Sequence, residues 1–422
     1  MTEKLNVERD IALDVPRDVA FIIRELRKAG HEAFAVGGCV RDTLLGRAPG
    51  DWDITTSALP EEVKRVFRRT IDTGIQHGTV TVMLHRTGYE VTTYRIDGTY
   101  RDGRHPDHVT FTGNLEEDLK RRDFTINAMA WSEETGIVDI FRGMEDLEDG
   151  LIRCVGTPKD RFTEDALRIL RAVRFSAQLD FRIEEETLRA LPDIAPNLVN
   201  VSRERIQTEL TKTLLSGHPE KVLLAEETGM TPYISESFGE IFRGQTAEFF
   251  RERLLRAAGL PADRILRWAA LLAETGPSLT ERILRELKLD RETIEGAAVL
   301  AADFHVKLPE KAEEGEEETL YRIRKMMSRI PAELFDRLIL LKQALLPEER
   351  DAVEEARAES EAIRARGDCI SVKDLAVNGG DLIRAGIKPG PEMGKVLQDM
   401  LDYVLRYPGE NEKDKLIEKF AA

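Results

Sequence analysis

Near the start of the chain apolar residues recur at helical spacing: Ile11, Val15, Val19, Ile22, Ile23 and Leu26 share one face and predict a packing helix within residues 11–29. The period then changes. Ala33-Phe34-Ala35-Val36 is a short continuous apolar run of the kind that makes a buried strand, and Gly37-Gly38 ends it. A helix is expected from Val40 or Arg41, and Asp51 to Thr56 reads as a second strand. Pro60 to Phe67 opens with proline and acids, the mark of a short amphipathic helix. Gly78–Leu84 and Tyr89–Arg95 are β-rich runs separated by His85-Arg86-Thr87-Gly88, and they predict a hairpin. Later the helical period returns and stays. Leu167, Leu170 and Val173 form an inward stripe in a helix expected over 162–175, with Thr163 as its candidate N-cap. Another helix begins within Val201–Ile206, and amphipathic helices follow at 253–258, 260–274, 278–288 and 319–328. The acidic run at 313–318 reads as a solvated turn or linker. The expected class is α+β, with a small β-sheet flanked by helices ahead of an almost entirely helical second half.

A chain of 422 residues suggests two to four domains, and 41% apolar with 33% charged residues is the balance of a soluble globular protein. The net charge of −16, from 62 basic against 78 acidic residues, argues against an undirected nucleic-acid binder. Local clusters run the other way: Lys120-Arg121-Arg122, and Arg161, Arg168, Arg171 and Arg174. Cys39, Cys154 and Cys369 are too scattered for a disulfide framework, which places the chain in a reducing cytoplasm. No apolar run approaches the roughly 20 residues that span a bilayer, so export and membrane insertion are not expected. His105 and His108 lack a third ligand at suitable spacing, so zinc is not expected either. None of the seven histidines is followed by Asp, which removes the His-Asp phosphohydrolases.

The chemistry concentrates early. Two glycines between a strand and a helix let backbone N–H groups approach a phosphate, and Arg41 adds a charge there. Asp51 and Asp53 alternate with Trp52, so on a strand both carboxylates face one ion; hard oxygen donors of this kind suit Mg²⁺. Glu90, on the second arm of the hairpin, is either a third acid at that site or an edge-strand residue in solvent. Asp123 and Asn127 fit either ribose hydroxyls or a turn and cap. Asp165 and Arg168, three apart, are neighbours on a helix surface, with Arg171 on nearly the same face.

The string Gly37 to Arg47, followed by Gly50-Asp51-Trp52-Asp53, resembles the active-site opening of the DNA polymerase β nucleotidyltransferase superfamily, and within it the tRNA nucleotidyltransferase and poly(A) polymerase branch. Leu115 to Met129 resembles a motif of that branch almost letter for letter. The likeness covers essentially the whole chain and is similar above all to the bacterial CCA-adding enzymes of the second class. It implies a nucleotidyltransferase head at 1–147, a helical neck at 148–206, a body at 207–312 and a tRNA-binding tail at 313–422. The partners it implies are tRNA, CTP and ATP, with Mg²⁺ as cofactor.

For the site, the resemblance implies metal ligation by Asp51 and Asp53 with Glu90 completing the acidic cluster, and triphosphate contacts from Gly38, Arg41 and Arg122. Arg171 and Arg174 become further nucleotide contacts, and Asp165 with Arg168 the protein's template for the base. An Asp acceptor beside an Arg donor suits the amine and ring nitrogen shared by cytosine and adenine. Guanine and uracil leave buried groups unpaired, at roughly 1–3 kcal/mol each. The polar stretch from Asp97 to Pro106 resembles the flexible loop of enzymes that add the terminal A, and residues 370–394 the tRNA-binding tail. An A-adding enzyme working after a CC-adding partner is the nearest alternative. Poly(A) polymerase is disfavoured because Gly74-Ile75-Gln76-His77 stands where that branch carries a Gly-Arg-Arg-Phe-like string. A non-catalytic RNA-binding protein with a dead head is disfavoured by the intact Asp51/Asp53 pair.

Overall fold

The helix expected near the start runs from Arg17 to Lys28 (α1), and its buried residues Val19, Ile22, Ile23 and Leu26 are the ones spaced to share a face. They pack on a sheet. In this computed structural model residues 7–8, 13–98 and 109–421 are described; His105, His108 and the expected 97–106 loop from residue 99 onward lie outside them. The chain forms two compact units, Met1–Gly239 and Glu240–Ala422.

The first unit contains strands β1 (Val7–Glu8), β2 (Ala33–Val36), β3 (Ile54–Thr56), β4 (Thr70–Gly74), β5 (Thr79–Leu84), β6 (Thr87–Thr93), β7 (Arg95–Asp97), β8 (Val109–Phe111), β9 (Met129–Ser132), β10 (Gly136–Asp139), β11 (Leu151–Ile152) and β12 (Arg182–Ile183). Eight of them make one sheet in the order β1-β10-β9-β2-β3-β6-β5-β4. Within it β3 and β6 run parallel, and the other neighbours are antiparallel. Helices α2 (Gly38–Leu44), α3 (Pro60–Val66), α4 (Leu115–Lys120), α5 (Gly143–Glu148), α6 (Pro158–Glu164), α7 (Leu167–Leu179), α8 (Glu185–Ile194) and α9 (Arg203–Leu214) follow the chain around it.

The sheet's two faces differ. On one, α1 and Val63 of α3 close over Ala33, Ala35, Ile54, Val80, Val82 and Val91, across nearly its whole width. Leu26 has no exposed surface there, and Leu26→Ala would cost about 2–5 kcal/mol. On the other face, Leu115 and Leu119 of α4 cover Phe34, Val36, Ala130 and Val138, which belong to β2, β9 and β10 only. Among the described residues the opposite edge has no such cover: Ile71 of β4 is 51% exposed.

Several expectations are corrected. Helix α2 starts at Gly38, two residues before Val40, because Gly37 at φ 83° turns the chain directly into it. Asp51 and Asp53 precede strand β3; only the carbonyl of Asp53 joins the ladder, accepting from Val36 N at 3.0 Å. The helix expected over 162–175 is two helices, broken at Asp165 (φ −143°, ψ 101°). Thr163 is therefore no N-cap; it lies in the last turn of α6 and its hydroxyl donates to the Lys159 carbonyl at 2.7 Å. The acidic run is no linker: Glu316, Glu317 and Glu318 form the first turn of a helix, Glu316–Arg329, where they complement its positive end.

The second unit is helical. Ala247–Ala257, Arg264–Leu272, Arg291–Asp303 and Ala332–Leu345 bury Phe250, Trp268, Leu300 and Phe335. Toward its end, Pro391–Arg406 and Lys413–Phe420 share a core of Met400, Leu401, Val404, Leu405 and Leu416. Among the described residues no helix is long and apolar enough to cross a membrane.

Candidate active site

At the end of β2 the backbone is constrained by what passes over it. Gly37 donates its N–H to the Met129 carbonyl at 3.1 Å, and a Cβ at Gly37 would sit 2.7 Å from an Arg122 guanidinium nitrogen. Only glycine combines that approach with a positive φ. Arg122 is delivered by α4, whose N-cap Asn114 accepts from Glu116 N at 2.9 Å. One turn back, fully buried Asp118 holds Arg121 at 2.9 Å and Arg122 at 3.7 Å, and accepts from the Thr55 hydroxyl at 3.1 Å. Arg121 and Arg122 pull the Asp118 carboxyl below its usual range, although burial opposes this.

A cavity of about 440 Å³ opens here, and its walls have opposite charge. Arg41, Arg122, Arg171 and Arg174 line it together with Asp51 and Asp53, and Gly38, Asp123, Asn127 and Phe175 complete the lining. Nine of the expected site residues thus meet in one place: Gly38, Arg41, Asp51, Asp53, Arg122, Asp123, Asn127, Arg171 and Arg174.

The basic wall is tied together. Arg41 donates to Asn127 Oδ1 at 2.5 Å and to Asp42 at 2.9 Å, Asn127 Nδ2 donates to Asp123 Oδ1 at 3.1 Å, and Arg171 Nε donates to Asp123 Oδ2 at 2.7 Å. Arg174 faces buried Glu209 of α9 at 2.7 Å. The contact is ionic and not aligned as a hydrogen bond, because Arg174 Nε has no such partner. Helix α7 places Arg171, Arg174 and Phe175 three and four residues apart, on one side. The Phe175 ring then takes three guanidinium groups, with Arg174, Arg41 and Arg171 at 4.1, 4.9 and 5.3 Å from its centroid. Burial opposes the charge on Asp123, but Arg171 and the Asn127 hydrogen bond outweigh it and hold this carboxyl far below the usual range. Arg122 Nε is buried and donates to nothing among the described residues, so the wall still has capacity for an anion.

The acidic wall is the reverse. Among the described residues the carboxylates of Asp51 and Asp53 accept no hydrogen bond and face no ion-pair partner within contact distance. Asp53 reaches solvent through the cavity mouth, yet enough protein surrounds it that burial, opposed by Arg122 and reinforced by Asp51, raises its pKa. Two neighbouring hard-oxygen anions left without donors, opposite a wall that takes an anion, fit a divalent cation completed by ligand oxygens. Among the described residues no group of three or more His, Cys, Asp or Glu could hold a metal alone.

Three expected residues stand off this wall. Glu90 is exposed on β6 beside Asp53; burial, Asp53 and Asp51 raise its pKa. Asp165 and Arg168 are not paired with each other. Asp165 Oδ1 accepts from Leu167 N at 3.1 Å, which caps the broken helix, and its Oδ2 accepts from Arg205 of α9 at 2.7 Å. Arg168 donates to Glu164 at 2.8 Å and to the carbonyls of Arg161 and Arg121 at 2.8 and 3.1 Å. Sequence reasoning missed the partners Asp118, Arg205 and Glu209. Asp118 was findable, at three and four residues from Arg121 and Arg122. Arg205 and Glu209 lie 40 and 35 positions from Asp165 and Arg174, and nothing local signals them.

Known proteins share this organisation. Residues 33–153 match a family model described as poly A polymerase head domain, residues 180–238 one described as a probable RNA and SrmB-binding site of polymerase A, and residues 261–420 one described as tRNA nucleotidyltransferase domain 2, putative. The chain is 38% identical over 408 residues to a CCA-adding enzyme of Leuconostoc mesenteroides, covering 96% of this chain and 95% of that protein. With a CCA-adding enzyme of Geobacillus kaustophilus it is 41% identical over 409 residues, covering 94% of each. The crystal structure of the Bacillus stearothermophilus CCA-adding enzyme in complex with CTP superposes with a TM-score of 0.76 at 33% identity, over 95% of this chain and 96% of that one.

Proposed function

This chain belongs to the CCA-adding enzyme family of nucleotidyltransferases, and we propose that the two-walled cavity of its first unit is where that chemistry happens. The protein adds C, C and A to the 3′ end of tRNA from CTP and ATP, without a nucleic-acid template. The observation that carries the site assignment is the pair of carboxylates, Asp51 and Asp53, unpartnered among the described residues and lining one cavity with four arginines.

Enzymes of this superfamily use divalent metal ions, and Mg²⁺ is the ion we assign to Asp51 and Asp53. With two such ions bound, one would lower the pKa of the tRNA 3′ hydroxyl and the other would neutralise the departing pyrophosphate. The 3′ oxygen attacks the α-phosphorus in line, the bond from that phosphorus to the bridging oxygen of pyrophosphate breaks, and the hydroxyl proton leaves to solvent. Arg122, with its free Nε, and Arg41 bind the triphosphate; Gly37 and Gly38 keep Cβ atoms out of its way. Asp123 and Asn127 hold Arg171 and Arg41 in place and are the candidates for the ribose hydroxyls. Arg174 completes the nucleotide contacts, and Glu90 supports the acidic pair from β6.

Base choice remains assigned to Asp165 and Arg168, and it requires a change of partners. Arg168 must leave Glu164 and two carbonyls to donate to a ring nitrogen, while Asp165 accepts the base amine beside its bond from Arg205. We divide the chain into head (1–147), neck (148–206), body (207–312) and tRNA-binding tail (313–422), acting in the cytoplasm.

The test is gel-resolved extension of tRNA transcripts ending at the discriminator base, at C and at CC, with Mg²⁺ and CTP, ATP or both. Addition of C, C and A that then stops is the expected result. Extension of the CC transcript alone would make this an A-adding enzyme, and binding without incorporation would leave only an RNA-binding protein.

A further inference from the structure

The bare half of the second sheet face runs outward from the acids. Parallel register sets Ile54 beside Val91, which puts Asp53 beside Glu90; antiparallel register sets Glu90 beside Thr81, and Thr81 beside Ile71. Directly opposed residues point to the same side, so Asp53, Glu90, Thr81 and Ile71 form one row across β3, β6, β5 and β4, about 14 Å long at ~4.8 Å per strand. One step further out on this face, Met83 opposes Gly88, and Met83 N donates to the Arg69 carbonyl at 2.9 Å, so Arg69 joins them. Glu90 is exposed and Ile71 at the row's end is half exposed, Thr81 between them is buried against the Thr73 hydroxyl at 2.8 Å, and among the described residues no helix covers the row.

The hairpin turn beyond is strained. His85 and Arg86 have φ of 48° and 70°, a conformation that Asn-Gly supplies at little cost and these residues do not. The turn is fixed to α1 through Asp18, which accepts from the Tyr89 hydroxyl and pairs with His85 Nδ1, both at 3.2 Å. The result is an exposed Arg86 at the same end of the sheet as Arg68 and Arg69. These three side chains have no ion pair or hydrogen bond among the described residues, in a chain with 78 acidic against 62 basic residues. The nearest surface acid on β4, Asp72, is taken by Lys64 at 2.9 Å.

We infer that this open face is the path of the tRNA 3′ strand, with Arg69 and Arg86 holding its phosphodiesters and the terminal ribose reaching Asp53 past Glu90. The inference rests on the assignment of Asp51 and Asp53. Charge complementarity selects a polyanion, and continuity with the acids selects its reacting end. The reaction supplies a further reason. The same face must take a strand ending in the discriminator base, then in C, then in CC, and contacts to phosphate carry no base preference.

The test is steady-state addition to an acceptor-stem minihelix by Arg69→Ala/Arg86→Ala. The KM for RNA rises about tenfold or more, kcat and the KM for CTP hold, and the slope of log K against log[salt] falls by roughly 1.4–1.8, the worth of two phosphate contacts. Arg69→Lys/Arg86→Lys recovers most of the affinity, while Arg291→Ala, at an exposed ion pair elsewhere, changes nothing. Arg86→Gly separates binding from folding, because relief of the positive φ raises Tm while the KM for RNA still rises. Unchanged RNA KM and salt slope in the double alanine variant, with wild type active and Asp51→Ala/Asp53→Ala dead, would overturn the path alone. An active Asp51→Ala/Asp53→Ala would overturn the site assignment beneath it.

Discussion

The two walls of the cavity solve opposite problems. On the basic side Arg41, Arg171 and Arg174 are already engaged, through Asp42, Asn127, Asp123, Glu209 and the Phe175 ring, and Arg122 lies 3.7 Å from Asp118 with its Nε still unpaired, so three of the four positions are set before any ligand arrives. On the acidic side Asp51 and Asp53 have no such support, and burial with mutual repulsion raises the pKa of Asp53. Pairing gives orientation without reorganisation when an anion binds, whereas leaving acids unpaired keeps their oxygens available to a cation. The first wall offers cations largely fixed in place to the nucleotide, and the second keeps carboxylate oxygens free for the metal.

The largest expected break is therefore functional. Asp51→Asn/Asp53→Asn should lower incorporation by at least ~10³-fold, the several kcal/mol that a metal-assisted step supplies, with no loss of thermal stability. Next comes a structural break on the opposite wall. Asp123→Ala strands Arg171 and frees Asn127, and should cost about 3 kcal/mol in denaturant unfolding as well as weakening CTP binding. Gly37→Ala is smaller: a left-handed backbone and a Cβ 2.7 Å from Arg122 should cost about 1–2 kcal/mol and displace Arg122, read as a raised KM for CTP with little change in kcat.

The smallest effect is a matter of sign. Asp123 is held below its ordinary value, so its pairing adds stability above the unfolded carboxylate value near ~3.9 and loses it as acid protonates the folded group. Asp53 is raised, so its charge costs stability at neutral pH, and that cost disappears as pH falls through its raised value. Without divalent cation, Asp53→Asn should melt above wild type at neutral pH, and the two curves should converge in acid. Thermal melts of both proteins across that range check it, and a variant that melts lower at neutral pH would contradict the contrast.

What could be read from sequence follows the same division. The Gly pair, the Asp-x-Asp, the hairpin and the stripe of α1 are local patterns, and they appear within a few residues of where they were expected. Lys120-Arg121-Arg122 has the composition of a solvated face, and only its contacts with Asp118 and Gly37 reveal Arg122 as buried machinery. The break at Asp165 was hidden for a related reason. Residues 162–175 have continuous helical periodicity, and the interruption is held by a cap to Leu167 and by Arg205 from another helix. Periodicity reports which side of an element is buried; it carries no information about partners 40 positions away.

The division of labour is tested most directly by titrating CTP, in EDTA, into wild type and Asp51→Asn/Asp53→Asn, and assaying both for incorporation with Mg²⁺. The account predicts that the variant binds CTP within about twofold of wild type, or more tightly for want of two repelling charges, yet transfers no nucleotide. Incorporation that persists in the variant, or CTP binding that collapses with it, would show that the walls do not divide the task in this way.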